Sequence, residues 1–282
     1  MSDGRGPLLP APSLRLRLAQ AAAIARLELR HVLLSRRAAS VSLLAALPLV
    51  PWVLAAIYGT PGRASLGEDL VGFAHFVDGA VLRLFLLLGC MLAFAGLVRR
   101  EIENRTLHYA FLIPVRREVT MAGRWAASAA AVATIFSSST VLALALACLP
   151  HGRPAVTAHF LHGPGLAQAA GFVAVIVLAT ATWGAVFLAL GLLARRPVGW
   201  GLLVFVLELL RPMLPLALKR LTISWWLTGF LPLRSQVKAV VGIPAPPPSP
   251  LAAAIVLGAV LAVAALVVAW RVRRLELAYS GG

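Results

Sequence analysis

The chain has 282 residues, of which 60% are hydrophobic and 13% charged, and its mean hydropathy is +0.89. This composition excludes an ordinary soluble globular protein and indicates an integral membrane protein. The formal net charge of +16 does not indicate nucleic-acid binding, because the arginines flank the apolar runs instead of forming one basic domain. Cys90 and Cys148 fall in apolar runs at different expected depths, which argues against a disulfide between them.

Residues 1–40 precede the first long apolar run and contain seven arginines, too many for the n-region of a cleavable signal peptide. The pattern from Ser13 to Arg37 predicts a helix. At ~100° per residue this helix gathers four arginines within about 60° of one another: Arg15, Arg26, Arg30 and Arg37. We expect a cytoplasmic tail whose helix lies on the membrane, with its arginines facing lipid phosphates. A disordered basic tail is the alternative.

Residues 41–282 form one transmembrane domain with six apolar runs. A helix needs about 20 residues to cross a bilayer, whereas barrel strands alternate over about ten, so these runs are helices. The predicted spans are Val41–Tyr58, Ala80–Val98, Trp125–Leu149, Leu166–Ala194, Val198–Leu218 and Leu251–Trp270. The predicted fold class is therefore all-α, with six transmembrane helices.

The basic residues orient these spans. The N-terminal tail has seven of the 26 Lys and Arg residues, the 99–124 loop six, the Arg195–Arg196 turn two and the C-terminal tail three. The connection between spans one and two, residues 59–79, has three acidic residues against one arginine. The positive-inside rule therefore predicts that both termini and the 99–124 loop are cytoplasmic.

Between spans five and six, the segment Leu221–Leu231 is apolar but short. Its Trp225 and Trp226 suit a membrane interface. We predict a short interfacial or re-entrant helix on the outer side there. A seventh span would move the basic C-terminal tail outside, against the charge rule.

The 99–124 loop concentrates charge in an otherwise apolar chain, with six arginines and three glutamates. Glu101 and Arg105 have the favourable i,i+4 order, Leu107 and Phe111 form a small apolar face, and Pro114 ends the helix. The pattern predicts a short amphipathic helix that docks a soluble partner. The alternative is that the arginines only satisfy the positive-inside rule, which does not explain the paired glutamates.

The loop sequence "EIENRTL…PVRRE…GR" resembles the loop between spans two and three of ABC-2 type transporter permeases. The matching positions are Glu101, Glu103, Thr106, Leu107, Pro114, Val115, Arg117 and Gly123. Arg105 and Arg124 depart from the family pattern, where Gly and Lys are common. The resemblance implies that an ATPase couples to the loop. The coupling residues would be Glu101, Glu103, Arg105, Thr106, Leu107, Phe111, Pro114, Arg116 and Arg117.

The resemblance also implies partners. The chain has no G-x-x-x-x-G-K-[ST] loop, and Lys219 and Lys238, its only lysines, are predicted on the outer side. We therefore expect no enzyme activity and no cofactor in this chain. ATP and Mg would bind two copies of a separate ATP-binding subunit, and a second permease copy would complete a homodimer in the bacterial plasma (inner) membrane. The family works by alternating access, usually as exporters.

Two polar features lie inside the predicted spans. Glu208 and Arg211 are spaced i,i+3 in span five, and ionisable residues in a span indicate a functional site. A mutual salt bridge that only anchors a kinked helix is the alternative. Span three contains a run of hydroxyl side chains: Ser137, Ser138, Ser139 and Thr140. Either feature could line a translocation path or a dimer interface, although hydroxyls also serve helix packing.

Two other classes of membrane protein fit the sequence less well. A membrane-embedded protease needs a catalytic histidine in a span or an H-E-x-x-H motif; no histidine falls inside a predicted span, and the motif is absent. A secondary transporter or channel, independent of ATP, is closer. Such proteins place ionisable residues or unwound helices at the membrane midplane.

Overall fold

The computed structural model describes residues 14–33, 36–58, 65–95, 97, 117–194, 197–233 and 246–279, and every regular element in these ranges is a helix. Five helical stretches are long and apolar enough to cross a membrane. They are Ala38–Tyr58, Leu66–Phe94, Glu118–His151, Gly165–Leu193 and Pro250–Arg274. The expectation of an all-helical chain with several membrane-spanning helices is met at this level.

In chain order we name the helices α1 to α11. Their bounds are α1 Leu14–Leu33, α2 Arg36–Ala46, α3 Leu49–Tyr58, α4 Leu66–Phe94, α5 Arg117–Cys148, α6 Arg153–Thr157, α7 Gly165–Leu193, α8 Pro197–Leu209, α9 Leu216–Lys219, α10 Ile223–Leu227 and α11 Pro250–Tyr279. The first span consists of α2 and α3, which a turn at Leu47 and Pro48 separates.

Span two is longer than predicted. The connection assigned to residues 59–79 is wrong in its second half, because α4 begins at Leu66. Ser65 caps the helix: its hydroxyl accepts from the Glu68 amide, and the Glu68 carboxylate accepts from the Ser65 amide. His75 consequently lies inside a helix that is long and apolar enough to cross a membrane, and His151 ends another, contrary to the prediction that no histidine falls inside a span.

The helix at the predicted fifth span is shorter than predicted and is not among the five long enough to cross a membrane. The helix α8 ends at Leu209, and the chain continues through a 3-10 turn and the four-residue α9. Thirteen residues extend only about 20 Å, less than the ~30 Å hydrocarbon core. Pro212 and Pro215 explain the break, since neither can continue an α-helix without losing a backbone hydrogen bond.

The predicted N-terminal helix is present as α1, and it lies against the start of α5. A Cβ atom on Gly123 would come within 2.9 Å of the Ala21 carbonyl oxygen, so the two backbones are in close contact. Of the four arginines predicted to share a face, Arg26 alone has a described side chain, and it is exposed.

The ends of several helices lie together at one end of the bundle. Arg273 of α11 forms an ion pair with Glu118 of α5, and the Arg271 guanidinium donates to the Leu192 carbonyl of α7 at 3.4 Å. We call this the basic end, defined by α1, the start of α5 and the ends of α7 and α11. The predicted basic segments thus adjoin helices that meet at one end of the bundle.

The core lies where α4, α5 and α7 meet. Its largest fully buried side chains include the aromatic residues Phe73, Phe94, Phe136, Phe172, Trp183 and Phe187. Small residues let these helices approach closely: a Cβ atom on Gly191 of α7 would lie 2.8 Å from the Ala95 carbonyl oxygen. This is the packing expected of helices in lipid, where close backbone contact replaces the hydrophobic effect.

We expect Gly191→Ala to destabilise the protein by about 1–3 kcal/mol, because the added methyl meets a backbone atom that cannot rotate away. The matched control is Gly258→Ala in α11, where a Cβ atom meets nothing within 4 Å. There, the gain in helix propensity makes the change neutral or stabilising. Thermal unfolding midpoints in one detergent compare the two, and an equal response of both variants would contradict the close packing.

Candidate functional site

A cluster of buried charges lies at the break in span five. It joins the end of α8, the 3-10 turn Arg211–Met213, the start of α10 and the middle of α4. The middle of α4, Val77–Leu86, is π-helical, a conformation often found at functional sites. Arg211 follows α8 closely and lies about 20 Å along the helix axis from the start of α8 at Pro197.

Asp78 holds two arginines together in this cluster. Its Oδ2 atom accepts from Arg211, which is 133 residues away, and from Arg83 Nη2 at 3.3 Å. The Arg83 Nε atom also donates to the Asp78 carbonyl oxygen at 3.0 Å. Both arginine side chains are largely buried, and the shared carboxylate therefore ties α4 to the end of α8.

Glu208 has a different set of partners. Its Oε1 accepts from the amides of Ile223, at 2.8 Å, and Ser224, at 3.4 Å, and its Oε2 accepts from the Ser224 hydroxyl. The side chain thus caps the first turn of α10, where the helix dipole favours a negative charge. Glu208 itself is 2% exposed. The alternative of a mutual Glu208–Arg211 salt bridge is wrong, since each residue pairs with a different helix.

Lys219 adds a third cation near the two arginines. Its side chain is buried, and the Arg211 and Arg83 charges act on it. The cluster therefore combines three basic groups with the two carboxylates of Asp78 and Glu208. Charges of this kind are costly to bury in a membrane unless their partners balance them.

Two polar atoms of the cluster lack a hydrogen-bond partner among the described residues. They are Asp78 Oδ1 and Arg211 Nη1, both fully buried. They belong to the same carboxylate and guanidinium groups that bond each other through Oδ2 and Nη2. The ion pair thus keeps one buried acceptor and one buried donor without a partner, whereas buried polar atoms are normally paired.

Of the hydroxyl side chains Ser137–Thr140 in α5, some bond neighbouring backbone and some line a groove. Ser139 donates to the Ala45 carbonyl of α2, Ser138 donates to Ile135 of its own helix, and Thr140 is buried. Ser137 and Ser138, with mainly Ala and Val side chains of α5 and α7, line a groove of roughly 770 Å³. The run lies apart from the charge cluster in the chain, and the Ser139 bond is the helix-packing use of a hydroxyl.

The predicted coupling residues from Glu101 to Arg116 lie outside the described residues, and Arg117 begins α5 but its side chain is likewise not described. The chain leaves the described helices after α4 and returns at α5. Glu118, one residue into α5, pairs with Arg273 at the basic end, which fixes where this segment rejoins the bundle.

Sequence reasoning found Glu208 and Arg211 but missed their partners Ser224 and Asp78, and it missed Arg83 as the second arginine bound to Asp78. Asp78 was assigned to an outer connection. The Ser65 and Glu68 capping pair was the available signal, since it marks a helix start 13 residues before Asp78.

Comparison with protein-family models gives no match, and no curated protein matches the sequence. Among the described residues, no group of three or more His, Cys, Asp or Glu side chains is arranged to hold a metal ion. The chemistry that the cluster offers is recognition of charged or hydrogen-bonding groups by Asp78 and Arg211.

Proposed function

We propose that the chain is the transmembrane permease subunit of an ATP-driven transporter of the ABC-2 type. In this proposal two copies of the permease pair in a bacterial plasma membrane, with both termini cytoplasmic. Two copies of a separate ATP-binding subunit dock on the cytoplasmic face, and the complex exports its substrate.

The observation that carries the transport function is the discontinuous span five. In many transporters, helices that break within the membrane form the substrate site, because unwound backbone and helix ends supply polar groups there. Here α8 breaks after Leu209, and buried charges from α4 and α8 meet at the break. Resemblance of the 101–124 sequence to the family's coupling loop supplies the link to an ATPase.

In the proposed mechanism the helix bundle transmits the movement of the ATPase to the translocation path. Closure of the ATPase on ATP pushes the coupling segment between α4 and α5, which shifts these two helices against α8. The Asp78–Arg211 ion pair joins α4 to the end of α8. During this shift the ion pair must therefore either move together with both helices or break. The permease then opens the path in turn to the two sides of the membrane. Its residues take no part in ATP hydrolysis.

A second candidate is a secondary transporter or channel that works without ATP. The buried cluster of Asp78, Arg83 and Arg211 favours it, because ion-coupled transporters place such groups within the membrane. Dependence on a P-loop ATPase separates the two candidates.

The test is co-purification. Tagged protein extracted from native membranes in mild detergent is expected to recover one P-loop ATPase at equal stoichiometry, identified by mass spectrometry. Glu103→Arg is expected to abolish that recovery by reversing a charge on the coupling surface. The matched control is Glu68→Arg, at the exposed start of α4, which should recover the ATPase normally. Recovery of the chain alone, or unchanged recovery with Glu103→Arg, would refute the coupling assignment.

A further inference from the structure

One side of α11 exposes large apolar side chains along most of the helix. They are Leu251, Ile255, Val263, Leu266 and Trp270. Trp270 lies 19 residues after Leu251, about 29 Å along a helix axis, which matches the ~30 Å hydrocarbon core. The helix is long and apolar enough to cross a membrane. In that position these side chains contact acyl chains, and Trp270 lies at the membrane interface, where tryptophan is enriched.

Arg274 follows Trp270 by one helical turn, at the basic end. Its guanidinium carbon Cζ lies 4.3 Å from the centroid of the Trp270 ring, a distance typical of a cation–π interaction. Arg274 is exposed, and among the described residues no hydrogen bond or ion pair engages its guanidinium group. The ring therefore holds an exposed cation at headgroup level while the N–H donors of that cation remain available to a ligand.

Two other arginines of the same turn differ in their partners. Arg273 forms an ion pair with Glu118, whereas Arg271 donates through Nε to the Leu192 carbonyl. A carbonyl group has no formal charge, so this bond leaves the positive charge of Arg271 in place. Arg271 and Arg274 are spaced i,i+3, which makes them neighbours on the helix surface. Both charges therefore act on a group that binds beside Arg274.

We propose that this end of α11 binds an anionic phospholipid. Its phosphate accepts from the Arg274 guanidinium, the Arg271 charge adds to the attraction, and an acyl chain lies along Leu266 and Val263. The exposed apolar side chains directly next to the cation favour a lipid over a free phosphate. A choline headgroup fits less well, because its own cation would lie near the two arginines. The proposal requires that α11 cross a membrane, and it is independent of the proposed transport function.

Native mass spectrometry of the purified full-length chain tests this site. Phosphatidylglycerol and phosphatidylcholine with the same acyl chains compete in one detergent, and the retained lipid is counted per protein. We expect the wild type to prefer phosphatidylglycerol by about fivefold, and Arg274→Gln to lower that preference by about threefold or more. The matched control is Arg220→Gln, which removes another exposed arginine and should keep the wild-type preference. Both substitutions are at exposed positions, where changes rarely unfold a protein.

Trp270→Leu separates the ring from the charge. It keeps the Arg274 guanidinium but removes the surface that holds it, so the preference should fall by about twofold or more. The site is refuted if the wild type shows no preference, if Arg274→Gln retains it, or if Arg274→Gln and Arg220→Gln lose it equally. Displacement of phosphatidylglycerol by soluble glycerol phosphate would overturn the assignment to a lipid. None of these outcomes bears on the recovery of an ATPase.

Discussion

Replacing Asp78 by leucine is expected to destabilise the protein by about 3–5 kcal/mol, the cost of removing one member of a buried ion pair. The change leaves Arg83 and Arg211 facing each other, with no carboxylate between them. The matched control is Asp69→Leu on the same helix. Asp69 is 41% exposed and pairs with His151 near the end of the bundle, so its loss should cost about 1 kcal/mol or less.

Equilibrium unfolding in mixed micelles with increasing SDS measures both variants. A triple variant with leucine at Asp78, Arg83 and Arg211 gives the reciprocal test, because it removes the stranded cations along with the carboxylate. It should regain most of the lost stability, since apolar residues often replace buried ion networks without loss. If the triple variant is less stable than Asp78→Leu, the arginines make favourable contacts other than those to Asp78.

Hydropathy was enough to identify most of the spans. Runs such as Leu166–Ala194 are mainly apolar and contain no charged residue, and lipid offers no alternative to a helix for such a run. The start of α4 was missed because Glu68, Asp69 and Asp78 interrupt the apolar pattern, although the helix continues through them. The end of α8 was missed for the opposite reason: apolar residues continue to Leu218 after the prolines have stopped the helix.

The candidate site was half predictable. Glu208 and Arg211 stand out in any apolar run because ionisable side chains are rare there. Their spacing of i,i+3 favours a local pair, and only the tertiary fold brings Asp78 to Arg211 and the start of α10 to Glu208. Contacts across 133 residues leave no local trace in a single sequence. The sequence therefore indicates a site at α8, but it does not identify the residues of other helices that complete the cluster.

The cap that Glu208 places on α10 leads to a second large effect. Glu208→Leu leaves the Ile223 and Ser224 amides and the Ser224 hydroxyl without an acceptor. Each stranded buried group costs about 1–3 kcal/mol. Removing a carboxylate from the membrane returns roughly 2.5–3.5 kcal/mol. The lost hydrogen bonds outweigh that return, so we expect a net destabilisation of about 2–4 kcal/mol, concentrated at α10.

Glu208→Gln separates hydrogen bonding from charge. The glutamine oxygen can still accept from both amides, and the Ser224 hydroxyl can rotate to accept from the side-chain NH₂ group. Hydrogen exchange of the Ile223–Leu227 amides should therefore stay near the wild-type rate in Glu208→Gln and rise at least tenfold in Glu208→Leu. If both variants exchange fast, the negative charge at the start of α10 stabilises it. If neither does, α10 is held by the packing of Trp225 and Leu227, which are buried, and Glu208 does not stabilise it.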